Sequence, residues 1–107
     1  MDFIREVESQ TGVPIKSFGH AGDGNLHIYI LKESDNEREY NPHIGIAMDR
    51  IYDFAKGLKG QVSGEHGIGH EKRAYLNSSL SGTVLDLMRG IKKVFDPENI
   101  LNPSKIL

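Results

Sequence analysis

The chain has 107 residues with 13 Lys+Arg against 15 Asp+Glu, which predicts one domain with a modest core and argues against a nucleic-acid or anionic-membrane partner. No cysteine is present, so disulfides, thiolate metal sites and cysteine nucleophiles are excluded. No apolar run is long enough to span a membrane and residues 1–6 lack a signal-peptide pattern, so we expect a cytoplasmic protein without a membrane span.

A helix and a β-hairpin are the first predicted elements. Asp2 can cap the helix, and Gly12 is placed to end it. Residues 13–18 are strand-like, and a second strand is predicted over about residues 26–32, joined to the first by a run of glycine, Asp and Asn that favours tight turns. Residues 33–40 are polar and charged, which is typical of a surface loop.

A longer helix and a short strand are predicted next. Asn41 is a good cap and Pro42 fits the first helical position. Apolar residues then recur at steps of three and four as far as Leu58, which indicates one buried stripe, and Gly60 is placed to end the helix. Residues 61–62 are a short strand candidate.

A final helix is predicted over residues 81–95, followed by an extended, apolar tail over residues 99–107. The residues expected to face inward on this helix are Val84, Leu87, Met88, Ile91, Val94 and Phe95. The order of elements indicates an α+β fold, a small antiparallel sheet covered by helices. Two good strands and one short strand make a poor sheet by themselves, so we expect part of a larger body and a tendency to form a homodimer.

Two histidines flank the predicted hairpin connection. On one straight strand His20 and His27 would face opposite sides, whereas across a hairpin they can converge, as in a metal site or a catalytic site. The simpler alternative is that both are solvated and the glycine and Asx residues only build the turn. Asp23 between them suits turn formation or support of a ligand better than direct ligation.

A second cluster places a carboxylate beside an imidazole, between glycines. Glu65 and His66 form this pair within residues 63–70. Two histidines and one carboxylate are a familiar set of protein ligands that leaves one metal position open to substrate. His20, His27 and Glu65 can supply that set, which leaves His66 for proton chemistry.

Other candidates have simpler interpretations. His43 and His70 lie outside this pattern and are expected at the surface. Lys72 and Arg73 could meet a substrate carboxylate, but a solvated cationic pair explains them as well.

Three motifs together resemble one family. They are His-Ala-Gly-Asp-Gly-Asn-Leu-His at residues 20–27, Ser-Gly-Glu-His-Gly-Ile-Gly at 63–69 and Val-Phe-Asp-Pro-Glu-Asn-Ile-Leu-Asn-Pro-Ser-Lys-Ile at 94–106. In this order they resemble the C-terminal region of FAD-linked oxidases, a group that includes glycolate oxidase, D-lactate dehydrogenases and D-2-hydroxyglutarate dehydrogenase. The resemblance implies the end of a substrate, or cap, domain within the vanillyl-alcohol-oxidase-type flavin fold. The family's FAD pyrophosphate-binding domain has no counterpart in this chain.

The resemblance also implies roles for residues. The family's divalent-metal ligands, for zinc or manganese, fall on His20, His27 and Glu65, and its catalytic base falls on His66. The implied partners are a small 2-hydroxy acid substrate, FAD, and a flavin-binding domain or subunit.

Two further positions concern contacts with the flavin and with the substrate. Asn102 is the candidate flavin contact, and together with Lys105 it either approaches the flavin or only packs the tail. Some relatives have Asn two residues after the second histidine, where it touches substrate. This chain has Tyr29, so the identity of the acid does not carry over.

Two hypotheses follow. The chain is the substrate- and metal-binding part of an FAD-dependent 2-hydroxy acid dehydrogenase or oxidase, inactive without a flavin-binding domain. Alternatively, it is a non-catalytic remnant or metal-binding module that folds and oligomerises. A flavin-domain sequence immediately upstream would support the first.

Overall fold

The computed structural model describes residues 2–31 and 41–107, and its chain divides into two compact units, Met1–Phe54 and Ala55–Leu107. The described elements are four helices and a two-stranded antiparallel sheet, so the predicted α+β class is confirmed. None of the helices in these ranges is long and apolar enough to cross a bilayer. The surface loop predicted over residues 33–40, and residue 32 of the predicted strand, lie outside the described residues.

Helix α1 spans Asp2–Thr11 and is amphipathic. Its buried residues include Ile4 and Val7. Gly12 follows with φ +68° and donates its amide to the Glu8 carbonyl at 2.9 Å. A left-handed residue at this point is the usual way to end a helix, so the predicted stop at Gly12 is confirmed.

Strands β1 (Ile15–His20) and β2 (Asn25–Ile30) pair antiparallel, with Ile15 opposite Ile30. One face of this hairpin packs into the core of the first unit, because Ile15 of β1 points to the same side as Ile28 and Ile30 of β2. That core contains Ile4, Val7, Ile15 and Ala47, with Phe3, Ile28, Ile30 and Ile51 packed against it. The opposite face of the hairpin therefore points away from this core.

Helix α2 spans Pro42–Gly57 and begins as predicted. The Asn41 side chain accepts the His43 amide at 2.9 Å, which satisfies one of the free amides of the first turn. The helix ends at Gly57, three residues before the predicted stop. Gly60 instead closes the following turn, where its amide donates to the Ala55 carbonyl at 2.8 Å.

The second unit contains a short helix that the sequence patterns did not predict, α3 (Arg73–Ser79), and the predicted helix α4 (Gly82–Phe95). Ser81 caps α4 by accepting the Val84 amide at 3.4 Å. The short strand predicted at residues 61–62 is wrong, because these residues form no ladder with any described strand. Two residues bounded by Gly60 and Gly64 are too few to indicate a strand by alternation.

The predicted inward face of α4 is largely exposed. The buried residue of this helix is Leu85, at 8% exposure, whereas Leu87 and Ile91 are 63% and 59% exposed. The same holds for Val84, Val94 and Phe95. Periodicity identifies residues that share a face, but it does not say what covers that face. The prediction that this stripe faces inward is wrong for the chain as described.

The tail after α4 is built from turns, so the prediction of an extended tail is wrong as well. Asn99 and Asn102 adopt left-handed backbone at φ 53° and 48°, a conformation in which Asn is enriched. The Lys105 amide donates to the Asn102 carbonyl at 3.2 Å. In the third motif, the turn-forming Asn-Pro and Asx residues determine the backbone conformation more than the apolar residues do.

Candidate active site

The connection of the hairpin is short and closed by a glycine. Strand β1 ends at His20, Ala21–Asp23 form a single 3-10 turn, and β2 begins at Asn25. Gly24 lies between the turn and β2 with φ +64°, in the left-handed region. This conformation costs free energy for a residue with a Cβ atom, whereas glycine adopts it readily. The predicted hairpin connection is confirmed.

His20 and His27 share one face of this hairpin. His20 lies opposite Asn25 and Phe18 lies opposite His27, so the two histidines are diagonal neighbours on the face that points away from the first unit's core. The hairpin therefore places both imidazoles on a common side. His27 lies two residues inside β2 and not at its end, and it is half-buried whereas His20 is exposed.

Gly19 has a packing role that the sequence patterns did not predict. A Cβ atom at this position would lie 2.1 Å from the Asn25 carbonyl oxygen, so no side chain fits there without moving the partner strand. Its neighbour in the chain is His20. Glycine inside a strand next to a candidate ligand is a signal of close backbone approach, and that signal was available in the sequence.

The second cluster lies on an irregular loop ahead of α3. Glu65 and His66 are adjacent and exposed. The Ser63 hydroxyl donates to the His66 carbonyl, which closes a local turn around the pair. The loop therefore presents both side chains at its surface.

Two hydrogen bonds hold the far end of this loop. The His70 carbonyl accepts the Arg73 amide at 3.3 Å, where α3 begins, and the Gly69 carbonyl accepts the Ile106 amide at 2.9 Å. The end of the tail thus returns to the loop that carries Glu65 and His66. Sequence reasoning missed this contact, since backbone amides leave no mark in a side-chain pattern.

The tail itself is organised by Asp96, which is 6% exposed at the end of α4. Its carboxylate accepts Lys92 Nζ at 2.5 Å and the amides of Ile100 and Leu101 at 2.9 and 3.1 Å. The hydrogen bond from Lys92 holds the pKa of Asp96 below its usual value, helped by the two amides, while burial opposes the shift. Asp96 therefore fixes the start of the segment that carries Asn102.

The remaining candidates have structural or surface positions. His43 is exposed in the first turn of α2, and His70 is exposed in the loop before α3. Lys72 and Arg73 are half-buried where α3 begins, and Asn102 is exposed in the tail. Each histidine pair or cluster is placed within its own unit: the hairpin histidines in the first, and Glu65 with His66 in the second.

A comparison with family models matches residues 1–106 to the C-terminal domain of FAD linked oxidases. A D-lactate dehydrogenase from Anaerostipes hadrus is 45% identical over 106 residues, which are 99% of this chain and 22% of that protein. Glycolate oxidase subunit GlcD from Bacillus subtilis is 39% identical over 96% of this chain and 22% of its own length.

A D-2-hydroxyglutarate dehydrogenase from Stutzerimonas stutzeri is 36% identical over 97% of the chain and 24% of its own length. The chain thus spans between a fifth and a quarter of these relatives. Nearly all of its residues match both the family model and these relatives, which is enough to assign the chain to a family. This chain belongs to the family of FAD-linked oxidase C-terminal domains.

Proposed function

We propose that the chain is the substrate- and metal-binding part of an FAD-dependent 2-hydroxy acid dehydrogenase or oxidase, and that it acts with a flavin-binding domain or subunit. The observation that carries the proposal is the common face of His20 and His27 on the hairpin. The names of the relatives support the class of substrate, since lactate, glycolate and 2-hydroxyglutarate are all 2-hydroxy acids.

His20, His27 and Glu65 are the proposed ligands of a divalent metal, zinc or manganese. Imidazole nitrogens and a carboxylate are donors that suit these ions. Two imidazoles on one face of a hairpin can bind the same metal ion, because residues that are diagonal neighbours across two strands lie roughly 7–8 Å apart. Glu65 would supply the carboxylate of this set from its exposed loop.

His66 is the proposed general base. An imidazole nitrogen of His66 would take the proton of the substrate hydroxyl, a role that suits histidine because its ordinary pKa of roughly 6.5 allows proton exchange near neutral pH. When bound, the metal would supply Lewis acidity toward the hydroxyl and FAD would supply the acceptor for the α-hydrogen as hydride. The Ser63 contact to the His66 carbonyl supports a fixed backbone beneath this imidazole.

Asn102 is the proposed flavin contact in this chain. Its left-handed backbone and exposed side chain suit a residue that reaches a large planar ligand from a turn. The hydrogen bonds around Asp96 would keep that turn in place.

The test joins this chain to the flavin-binding region of a relative such as the D-lactate dehydrogenase. The joined protein should oxidise a 2-hydroxy acid, and His66→Ala should lower kcat by roughly 10²-fold or more, as expected for the loss of a general base, while the metal content stays the same. His70→Ala, a neighbouring exposed histidine, is the control and should leave kcat unchanged. If His66→Ala loses the metal and Glu65→Ala keeps it, the two roles are reversed.

A further inference from the structure

A row of aromatic rings lies on the hairpin face that carries the histidines. Phe18 is opposite His27 and Lys16 is opposite Tyr29, so Phe18 and Tyr29 share a face with His27. The ring of Phe18 lies 5.3 Å from the ring of His27 and 5.2 Å from the ring of Tyr29, centroid to centroid. The planes of Phe18 and Tyr29 differ by 15°, which is a stacked arrangement.

These two rings are not part of the core. Phe18 is 57% exposed and Tyr29 is 48% exposed, while the core of this unit takes the isoleucines of the opposite hairpin face. The need to bury one face of the sheet therefore does not explain them. A stacked, half-open aromatic pair beside a candidate metal ligand is a surface on which an apolar group can rest.

We propose that this pair, the Phe18–Tyr29 platform, receives the α-substituent of the substrate, and that the chain selects 2-hydroxy acids with an apolar substituent. The inference rests on the proposed function, in which the carboxylate and hydroxyl of the acid lie at the histidines. Two residues along a strand cover roughly 6.5 Å. A substituent of a few carbon atoms is therefore long enough to reach Tyr29 from an acid bound at His27. The faces of aromatic rings carry negative charge density, which favours an alkyl or aryl group over a carboxylate.

Lys16 offers the alternative that the chain prefers an acid with a charged substituent. It is exposed and lies across from Tyr29 on the same face, where its ammonium could donate hydrogen bonds to the distal carboxylate of a substrate such as 2-hydroxyglutarate. Phe18 lies between Lys16 and His20 along β1 and directly across from His27, whereas Tyr29 is level with Lys16. A short substituent that leaves His27 would meet the Phe18 ring, whose centroid is 5.3 Å from that of His27, before it reached Lys16, so we expect the platform to set the preference.

The test measures binding to the zinc-loaded chain by titration calorimetry. The probes share one headgroup: glycolate has no substituent, D-lactate a methyl group, D-3-phenyllactate a benzyl group and D-2-hydroxyglutarate a carboxyethyl group. We expect D-3-phenyllactate to bind about five- to tenfold tighter than glycolate, as one aromatic contact provides. Tyr29→Asn and Phe18→Ser should each remove most of that ratio.

Two further variants sharpen the comparison. Tyr29→Phe keeps the ring and should keep the ratio. Phe95→Ser removes an aromatic ring that is 79% exposed on α4, outside the hairpin strands, and should also leave the ratio unchanged. Glycolate affinity in each variant reports whether the protein is still folded and loaded.

Each outcome decides a different point. Equal affinities for glycolate and D-3-phenyllactate, or a ratio that survives both platform variants, would overturn this inference and leave the proposed function standing. Tightest binding of D-2-hydroxyglutarate, abolished by Lys16→Ala, would overturn it in favour of an acidic substituent. Failure of glycolate itself to bind the zinc-loaded chain would contradict the histidine site and the platform together.

Discussion

Lys92 and Asp96 lie one helical turn apart at the end of α4, and Lys92 Nζ donates to the Asp96 carboxylate at 2.5 Å. The same ammonium donates to the Leu101 carbonyl at 3.0 Å. The pair thus joins the last turn of the helix to the tail that follows it, and both partners are largely shielded from water.

Because the pKa of Asp96 is lowered in the folded chain, its ionised carboxylate stabilises the fold above the pKa of an unfolded Asp, about 3.9. That contribution is lost as the pH falls through the lower, folded value. Asp96→Asn should therefore lower Tm at pH 7, and the difference from wild type should shrink below about pH 4. Thermal unfolding followed by circular dichroism measures it.

Asp86→Asn is the matched control for that experiment. Asp86 also pairs with a basic residue of α4, Arg89 at 2.9 Å, but its side chain is 76% exposed. Exposed pairs contribute little to stability, so this variant should leave Tm nearly unchanged. Equal effects of the two variants would show that the tail contacts of Asp96 are not what stabilises the fold.

The chain should take up one divalent transition metal. Reconstitution with zinc or manganese followed by elemental analysis should give about one ion per chain, as expected for a single site with three protein ligands, and His20→Ala and His27→Ala should each lose it. His43→Ala removes an exposed imidazole outside the hairpin and should retain the ion. Unchanged metal content in His27→Ala would contradict the assignment of the ligands.

Gly19→Ala should destabilise the hairpin, because the new methyl group would lie 2.1 Å from the Asn25 carbonyl oxygen. Overpacking of this kind costs about 1–3 kcal/mol of unfolding free energy. Urea unfolding with wild type alongside should show the loss, and metal affinity should fall with it.

Gly22→Ala provides the comparison for the hairpin variant. A Cβ at Gly22 would meet no atom within 4 Å, so replacing this turn glycine should have little effect on the urea midpoint. If Gly19→Ala were as well tolerated as Gly22→Ala, the close approach of β1 to Asn25 would not constrain the hairpin.

The isolated chain should self-associate, with a dimer as the simplest closed form. The apolar face of α4 is exposed, including Leu87 and Ile91, and exposed apolar faces favour pairing. The two-stranded sheet also has open edges among the described residues. Sedimentation equilibrium at micromolar concentration measures the association.

Ile91→Glu should shift that equilibrium toward monomer, whereas Lys93→Glu on the same helix should shift it much less, because it changes charge without removing apolar surface. A monomer at every concentration tested would rule out association through α4 or the sheet edge.

Elements with strong end signals were predictable from sequence. Gly12, Asn41 and Ser81 each stand where the structure ends or begins a helix, and the hairpin turn at residues 21–24 lies within the predicted glycine and Asx run. These signals act through the local backbone, so they hold without knowledge of the rest of the fold. Helix α3 has seven residues, too few to show a periodic apolar stripe, and it was missed.

Predictions that depend on distant partners were less successful. The stripe on α4 was correct as a pattern, yet Leu87 and Ile91 are exposed, because burial depends on what packs against the helix. Likewise, the Ile106 amide reaches Gly69 through backbone atoms that every residue has. The common face of His20 and His27 was predictable because strand alternation and a hairpin turn fix it together.

The pairing of Phe18 with His27 also limits how the length of this region can change during evolution. Adding or removing a single residue within β1 or β2 would turn one histidine toward the side of Ile28, since strand side chains alternate. Residues inserted between Ala21 and Gly24 would lengthen only the connection, and both imidazoles would keep their side. Related chains should therefore vary in the number of turn residues while the strand positions on either side stay in step, and alignments of this region should place their gaps in the turn.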